Sequence, residues 1–423
     1  MNIFKTHYMA AVLLAGCNLT AGAATVNITA SFSPSMDNPE NNTFTNTTPQ
    51  NGYCNNWPHL CPAGQFSISL GGISLNGNGI LYSSDNNPKN NFYLGLPVNS
   101  VVDVINLQTG LKSSLIFNIT HFSGSWRRLT GGAQSGWNNG TFSYPSTGST
   151  CNSGGAGIGS GGGDGNSWYG WAWTVRGGSC YKINTRESRD ISTSLLNDIS
   201  IGYKLTTPNP LLLESGTYVG YLKWNVGPDG DIDFGNAWSP SDTQLTINFT
   251  LSVNHELKLT TIADDRTVSL QPCASGRVCT EDEASANWER WMVTRITPQL
   301  TGHSNFRLSS SGAFSVYLEC EQQSGPDCAL RSDKMPSQTV PVRTLLTLPD
   351  NIVDNFTGST VSKRELVAGK DLTKNIFVTR SFGQNRAGSI DFLVSQKDVD
   401  TMLTTRPDTY RGAVTVIFDP LIY

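Results

Sequence analysis

A chain of 423 residues, 38% hydrophobic and 15% charged, is long enough for two or three domains and too apolar to be disordered. Its 42 glycines and thin charge are untypical of a long helical protein, and a net charge of −4 without a dense Lys/Arg tract argues against nucleic-acid binding. After the first two dozen residues no run of eighteen apolar residues occurs, so no membrane-spanning helix is expected in the mature chain.

Residues 1–23 are predicted to be a signal peptide. Lys5 gives the positive start, Met9–Gly16 forms a short apolar core, and Ala21-Gly22-Ala23 is a cleavage site. A lipobox reading of Leu14-Ala15-Gly16-Cys17, with Cys17 lipidated, is the alternative. Either reading predicts an exported protein.

Eight cysteines remain after cleavage, and an even number in an exported protein indicates disulfides formed in an oxidising compartment. Short loops favour local pairs. With no CxxC motif and four scattered histidines, neither a metal site nor a cofactor is expected. The expected pairs are Cys54/Cys61, Cys151/Cys180, Cys273/Cys279 and Cys320/Cys328.

The charge density changes near residue 254. About 10% of residues 24–253 are charged, against about 22% of residues 254–423, and eight of the ten tryptophans precede the change. We therefore predict one domain over residues 24–253 and a second over residues 254–423.

Both halves alternate apolar and polar residues with the period of two that β-strands have. Helical character is limited to the stretch around Glu283–Arg295, which could equally form a strand. Clusters of Gly, Pro, Asn and Ser separate the runs, which predicts an all-β chain of two β-sandwich domains. Clear runs are Leu115, Phe117 and Ile119; Phe314, Val316 and Leu318; and Ile390, Phe392 and Val394.

One motif occurs near the end of both halves, as Thr217-Tyr218-Val219-Gly220 and as Thr409-Tyr410-Arg411-Gly412. Each copy precedes alternating apolar residues, as in a turn that enters a late core strand, although chance could explain the match. After the first copy a closing strand follows, whereas the second copy is followed only by the run through Phe418 to Tyr423. The apolar residues of the closing strand are Leu245, Ile247, Phe249, Leu251 and Val253.

A second sandwich built like the first would therefore lack its last strand. Without the five apolar side chains of that strand, the sandwich loses roughly 1.5–3 kcal/mol of burial free energy for each, about 7–15 kcal/mol in total. Because a whole domain is stable by only about 5–15 kcal/mol, we expect this half to take a β-strand from another chain.

This layout resembles the two-domain tip adhesins of bacterial chaperone–usher pili, and the segment 410–418 is similar to the last strand of a pilin domain. The resemblance implies two immunoglobulin-like β-sandwich domains, an N-terminal lectin-like one and a C-terminal pilin-type one without its final strand. It also implies a periplasmic chaperone, an outer-membrane usher and an adjacent pilus subunit as partners, with export through the periplasm to the pilus tip. The strand-exchange interface implied for this chain comprises Tyr410, Gly412, Val414, Val416, Phe418 and the carboxylate of Tyr423.

The alternating residues Val26, Ile28, Ala30 and Phe32 allow two interpretations. They form the first strand of the N-terminal domain, as in a tip adhesin, or a donor strand, as in an internal or major pilus subunit without receptor binding.

Candidate ligand-binding residues are aromatic or basic. Flat rings suit the C–H faces of sugars, although a Trp-rich strand is more often core, and paired arginines suit the acidic groups of glycans. No catalytic motif occurs, so we predict a non-enzymatic adhesin for a host glycan or glycolipid; a carbohydrate-active enzyme is a further alternative. The candidates are Trp126, Arg127, Arg128, Trp137, Trp168, Tyr169, Trp171, Trp173 and Arg176.

Overall fold

The computed structural model of the chain describes residues 23–35, 37–38, 41–56, 58, 61–129, 145–153, 168–185, 187–273 and 279–420. Residues 1–22 of the predicted signal peptide, Trp137, Tyr423 and most of the Gly/Ser-rich loop at 153–165 lie outside these residues.

In the described part of the chain, sixteen strands precede residue 254. Most of them belong to one twelve-stranded sheet with the main order β15-β4-β13-β8-β7-β14-β16-β1-β2. In chain order they are β1 (Ala24–Phe32), β2 (Thr45–Asn46), β3 (Phe66–Ser69), β4 (Leu75–Gly77), β5 (Ile80–Leu81), β6 (Phe92–Gly95), β7 (Asn99–Asn106), β8 (Lys112–Arg128), β9 (Asn152–Ser153), β10 (Trp168–Thr174), β11 (Ser179–Lys182), β12 (Arg189–Asp190), β13 (Ser194–Thr206), β14 (Gly216–Asn225), β15 (Trp238–Pro240) and β16 (Gln244–Val253).

The strands of this N-terminal sandwich enclose one core because alternate residues point inwards. In β16 every second residue from Leu245 to Val253 is at most 1% exposed. β1 lies beside β16 in parallel, from Ala24↔Leu245 to Phe32↔Val253, and its own alternate residues are also buried. The alternating N-terminal segment is thus a strand of the N-terminal sandwich.

Among the described residues after 254, thirteen strands form a nine-stranded sheet and a four-stranded sheet around a second core. The four-stranded sheet has the order β24-β26-β20-β29. The strands are β17 (Leu257–Thr260), β18 (Gln271–Cys273), β19 (Gln299–Ser310), β20 (Ala313–Cys320), β21 (Gln323–Ser324), β22 (Asp327–Ser332), β23 (Thr339–Thr347), β24 (Ile352–Asp354), β25 (Arg364–Glu365), β26 (Ile376–Thr379), β27 (Gly383–Val394), β28 (Tyr410–Arg411) and β29 (Val414–Pro420).

The prediction of an all-β fold with two β-sandwich domains is confirmed. Within the described part of the chain, no strand pairs across residue 254, and the predicted boundary lies between β16 and β17.

Over the residues that the structure describes, three α-helices accompany the strands: α1 (Tyr53–Asn56), α2 (Glu281–Thr294) and α3 (Gln396–Leu403). The expected helical stretch is α2, which starts with a capping box between Thr280 and Glu283. α3, capped by Ser395, was not predicted.

All four expected disulfides are present, which confirms the local pairing: Cys54–Cys61, Cys151–Cys180, Cys273–Cys279 and Cys320–Cys328.

Candidate strand-acceptor groove and ligand-binding region

β29 is an edge strand. It pairs antiparallel with β20, and no other strand of the described ranges lies beside it. The N–H groups of Val316 and Leu318 in β20 donate to main-chain carbonyls on the side away from β29. Because bonded and non-bonded positions alternate in antiparallel pairs, the N–H and C=O groups of the opposing Val416 and Phe418 point to the open side of β29.

Beside this edge lies a groove, which we call the strand-acceptor groove. One wall is β29, with half-buried Val414, Val416 and Phe418, and the other is the segment from β17 to Leu270. A cavity of 620 Å³ is lined by both walls, with Val268 and Leu270 on one side and Gly412 and Val414 on the other. A cavity of 360 Å³ lies beside Thr260, Ile262 and Phe306. A third cavity, of 580 Å³, lies at Pro420 and Leu257 and is also lined by Leu213 of the N-terminal sandwich.

The groove leaves apolar surface uncovered. Leu259 is 40% and Ile262 is 65% exposed. The Phe418 ring lies 5.4 Å from that of Phe306 and 6.0 Å from that of Phe314, centroid to centroid, and remains partly accessible. An unpaired strand edge beside an apolar trough is a template for a further strand.

The N-terminal sandwich shows what a covered edge looks like. β14 pairs with β16 along all ten of its residues and with β7 on its other side. β16 buries five apolar side chains, whereas the apolar side chains of the edge strand β29, Val414, Val416 and Phe418, are only half-buried. The described residues of the C-terminal sandwich contain no counterpart of β16.

The repeated motif marks the strands that correspond. Tyr218 Oη donates to the Glu214 carbonyl oxygen at 3.2 Å, and Tyr410 Oη lies 2.9 Å from Thr405 Oγ1. Tyr218 makes the main-chain hydrogen bond of a tyrosine corner, whereas Tyr410 contacts a side-chain hydroxyl five residues upstream; both tyrosines begin a late strand. β14 therefore corresponds to β28 and β29.

The motif's two glycines share a packing role. A Cβ atom on Gly220 would lie 2.3 Å from the Asp103 carbonyl oxygen, and one on Gly412 would lie 2.6 Å from that of Ala329. Both glycines therefore allow a neighbouring strand to approach, and the match between the motifs reflects equivalent positions.

The structure brings five of the six predicted strand-exchange residues to one wall or end of the groove. Tyr410, Gly412 and Val414 line its 620 Å³ end, and Val416 and Phe418 continue the wall. The opposite wall was missed because nothing in the sequence relates residues 257–270 to β29.

The predicted aromatic ligand-binding residues need correction. Trp126, Trp171 and Trp173 are at most 1% exposed and belong to the core. The ring of Phe92 lies 5.0 Å from both Trp171 and Trp173, centroid to centroid. These three indoles therefore offer no face to a ligand.

The Trp-rich strand is covered on both sides. Trp171 and Trp173 point into the main core, while Ala172 packs on a small cluster with Tyr53 and Cys54. This second layer, held by the Cys54–Cys61 disulfide, explains why neither face of β10 carries polar side chains at its centre.

The remaining candidates lie at two separate ends of β10. The main chain of Trp168 pairs with that of Arg127, next to Arg128. Arg127 is 49% exposed and its Nη2 lies 3.4 Å from Asp198 Oδ2, whereas exposed Arg176 follows the other end of the strand. The strand from Trp168 to Thr174 alone spans about 20 Å, and Arg176 lies two residues beyond it, so one small ligand cannot contact both ends.

Residues 229–233 contain three aspartates, two of which form ion pairs with a lysine. The ammonium of Lys89 contacts Asp229 and lies 3.0 Å from Asp233 Oδ2, and hydrogen bonds to these carboxylates raise the pKa of Lys89. Over the described ranges, no group of three or more His, Cys, Asp or Glu side chains is placed to hold a metal ion. Nor does any helix there have the length and apolarity to cross a bilayer.

No family model and no curated protein matches the sequence. Solved structures with a similar fold do match. One neighbour is CfaE, the adhesive subunit of the CFA/I fimbria of enterotoxigenic Escherichia coli, at 10% identity and a TM-score of 0.23, covering 95% of this chain and 94% of that one. A CFA/I chaperone–tip adhesin complex matches at 11% identity and a TM-score of 0.25, covering 94% and 97%.

A third neighbour is the CsuC–CsuE chaperone–tip adhesion subunit complex from the archaic chaperone–usher Csu pili of Acinetobacter baumannii, at 12% identity and a TM-score of 0.21, covering 94% and 98%. These neighbours are fimbrial tip subunits. They belong to the same class of protein as the tip adhesins that the sequence resembles.

Proposed function

We propose that the chain is a non-enzymatic tip adhesin of a chaperone–usher pilus. Residues 24–253 bind a host glycan or glycolipid as a lectin. The C-terminal sandwich takes a β-strand first from a periplasmic chaperone and then, at the outer-membrane usher, from the adjacent pilus subunit. The predicted signal peptide directs this route, which ends at the cell-surface fimbrium.

The open edge of β29 carries the proposal. Its main-chain groups at Val416 and Phe418 have no strand to bond in the described chain, and its apolar side chains line an uncovered groove. β-Strand addition satisfies both needs at once, because main-chain bonds supply affinity and alternate side chains fill the trough.

The position of β1 favours a tip subunit over an internal one. A donor strand must be free to enter a neighbour, but β1 pairs with β16 over nine residues and buries Val26, Ile28 and Phe32 in its own sandwich. Release of β1 would open the core of the N-terminal sandwich.

The Arg127 end of β10 is the proposed glycan site. Arg127 and Asp198 are about half-exposed, so their ion pair contributes little and the guanidinium can exchange partners. Arg127 and Arg128 supply planar donor forks that suit a sialate, sulfate or carboxylate. Trp137, Trp168 and Tyr169 are proposed as further ligand-binding residues, whose rings would stack on sugars.

The strand-acceptor function is tested by co-purification from the periplasm with a pilus chaperone of the source bacterium. Val416→Asp places a charge in the groove and should abolish the complex. Ile80→Asp, at a residue 47% exposed in the N-terminal sandwich, is the control and should leave it intact. Equal recovery of the chaperone with both variants would contradict the proposal.

The lectin function is tested on a panel of acidic and neutral glycans. Arg127→Ala should lower binding of acidic glycans, while Arg176→Ala, a matched change at the other end of β10, should not. Absence of binding across the panel, or equal loss with both variants, would contradict the assigned site.

A further inference from the structure

An apolar surface covers the outer side of β7, β8 and β14, the side turned away from the core. We call it the outer apolar face. Its six large side chains are between 41% and 67% exposed, although polar residues normally occupy the solvent side of a sheet. They are Val101, Ile105, Leu107, Leu111, Ile116 and Tyr221.

The strand register makes these residues neighbours. Val101 on β7 lies directly opposite Ile116 on β8, and Ile105 lies opposite Val219 on β14. Leu107 and Leu111 extend the surface around the β7–β8 hairpin. Asp103 and Ser114 lie on the same side between the Val101/Ile116 pair and Ile105, so the face consists of two neighbouring apolar groups. Clustered apolar residues mark an interaction site, unlike single exposed residues.

Lysines surround this face. Lys112 lies opposite Ile105, Lys204 is on β13 beside the strand that carries Ile116, and Lys223 lies 5.7 Å from the centre of the Tyr221 ring. They are three of the five lysines in residues 24–253, whereas β7, β8 and β14 carry one carboxylate, Asp103. The face therefore combines apolar groups with net positive charge.

We propose that the outer apolar face binds the surface of a bilayer that contains anionic phospholipids. Aliphatic side chains and a tyrosine enter the boundary between headgroups and acyl chains, while lysines reach the phosphates. Protein interfaces favour aromatic residues, Met and Arg and are depleted in Lys, the reverse of this composition. A second copy on the same face would bring like charges together.

This inference goes beyond the proposed function, because the six apolar residues of the face line neither of the two proposed sites. Ile116 and Arg127 are eleven residues apart on β8, about 36 Å along the strand. The groove belongs to the other sandwich.

The test is co-sedimentation of the full mature chain with vesicles of phosphatidylcholine, with and without phosphatidylglycerol. The chain should bind the anionic vesicles and release them at high salt. The double variant Leu107→Ser/Leu111→Ser should lower the partition coefficient more than tenfold, and Lys112→Gln and Lys223→Gln about fivefold each. Ile80→Ser should have no effect.

Other outcomes would overturn the proposal. Loss of vesicle binding with Ile262→Ser, but not with Leu107→Ser/Leu111→Ser, would show that lipid enters the groove. Dimerisation in sedimentation velocity that the double variant abolishes would make the face an interface between copies. Absence of binding to anionic vesicles would refute it outright. Tyr221→Ser checks the result if the double variant fails to fold.

Discussion

Removal of the Phe418 side chain should weaken strand binding more than it weakens the C-terminal sandwich itself. A fully buried Phe→Ala change lowers the free energy of unfolding by about 3–5 kcal/mol. Phe418 is only half-buried in the open groove, against Phe306 and Phe314, so we expect about half of that loss in the free chain.

The other half, about 1.5–2.5 kcal/mol, is realised only when a strand covers the ring. Phe418→Ala should therefore raise the dissociation constant of an added strand about 10- to 70-fold. The probe is a labelled peptide with the sequence of β16, Gln244–Val253, because β16 covers the corresponding β14. Fluorescence anisotropy with the full chain measures the affinity.

Phe249→Ala is the matched control. Phe249 is 1% exposed in the N-terminal sandwich, so its loss should destabilise that sandwich and leave peptide affinity unchanged. The reasoning would be refuted if Phe418→Ala bound the peptide as tightly as the unaltered chain, or if both variants weakened it equally.

Three further predictions concern packing and pH. Gly412→Ala places a Cβ 2.6 Å from the Ala329 carbonyl oxygen and should lower the free energy of unfolding by about 1–3 kcal/mol in urea; an unchanged value would contradict the close approach. Burial lowers the pKa of His255 below 6.5, so the unfolded state binds its proton first. The contribution of neutral His255 to the free energy of unfolding is therefore complete above pH 6.5 and is lost as the pH falls from 6.5 towards the folded pKa. Over this fall in pH, the urea midpoint should drop less in His255→Gln than in the unaltered chain. Trp171→Ala should lower the free energy of unfolding of the N-terminal sandwich by about 3–5 kcal/mol in denaturant titrations, and a variant of normal stability that lost only glycan binding would restore this indole as a ligand contact.

Strand content could be predicted because alternation is local. The apolar runs at Leu115 and Phe314 lie on β8 and β20. Each disulfide joins two cysteines that follow one another along the chain. α3 was missed, although Ser395 and Asp398 form a cap signal, because its eight residues carry too short an apolar pattern.

Long-range pairing could not be predicted. The parallel contact of β1 with β16 joins residues more than two hundred positions apart, and no local pattern encodes it. The alternation at Val26 and Ile28 correctly predicted a β-strand. It could not show whether that strand pairs within its own chain or with a neighbouring subunit, because this depends on the partner strand.

The candidate sites also contain residues that the sequence could indicate and residues that only the fold reveals. Val414 and Phe418 could be recognised because a repeated motif precedes them, whereas the facing wall at Ile262 lacks any such signal. Trp171 and Trp173 were ambiguous, because a run of tryptophans fits both a sugar platform and a core, and only their burial in the fold distinguishes the two.

The most direct test of the open edge is a denaturant titration of residues 254–423 alone, with and without the β16 sequence appended through a flexible linker. The account predicts aggregation or a broad transition without the added strand, and a soluble monomer with a cooperative transition once β29 has a partner. A soluble monomer that unfolds cooperatively without any added strand would contradict it.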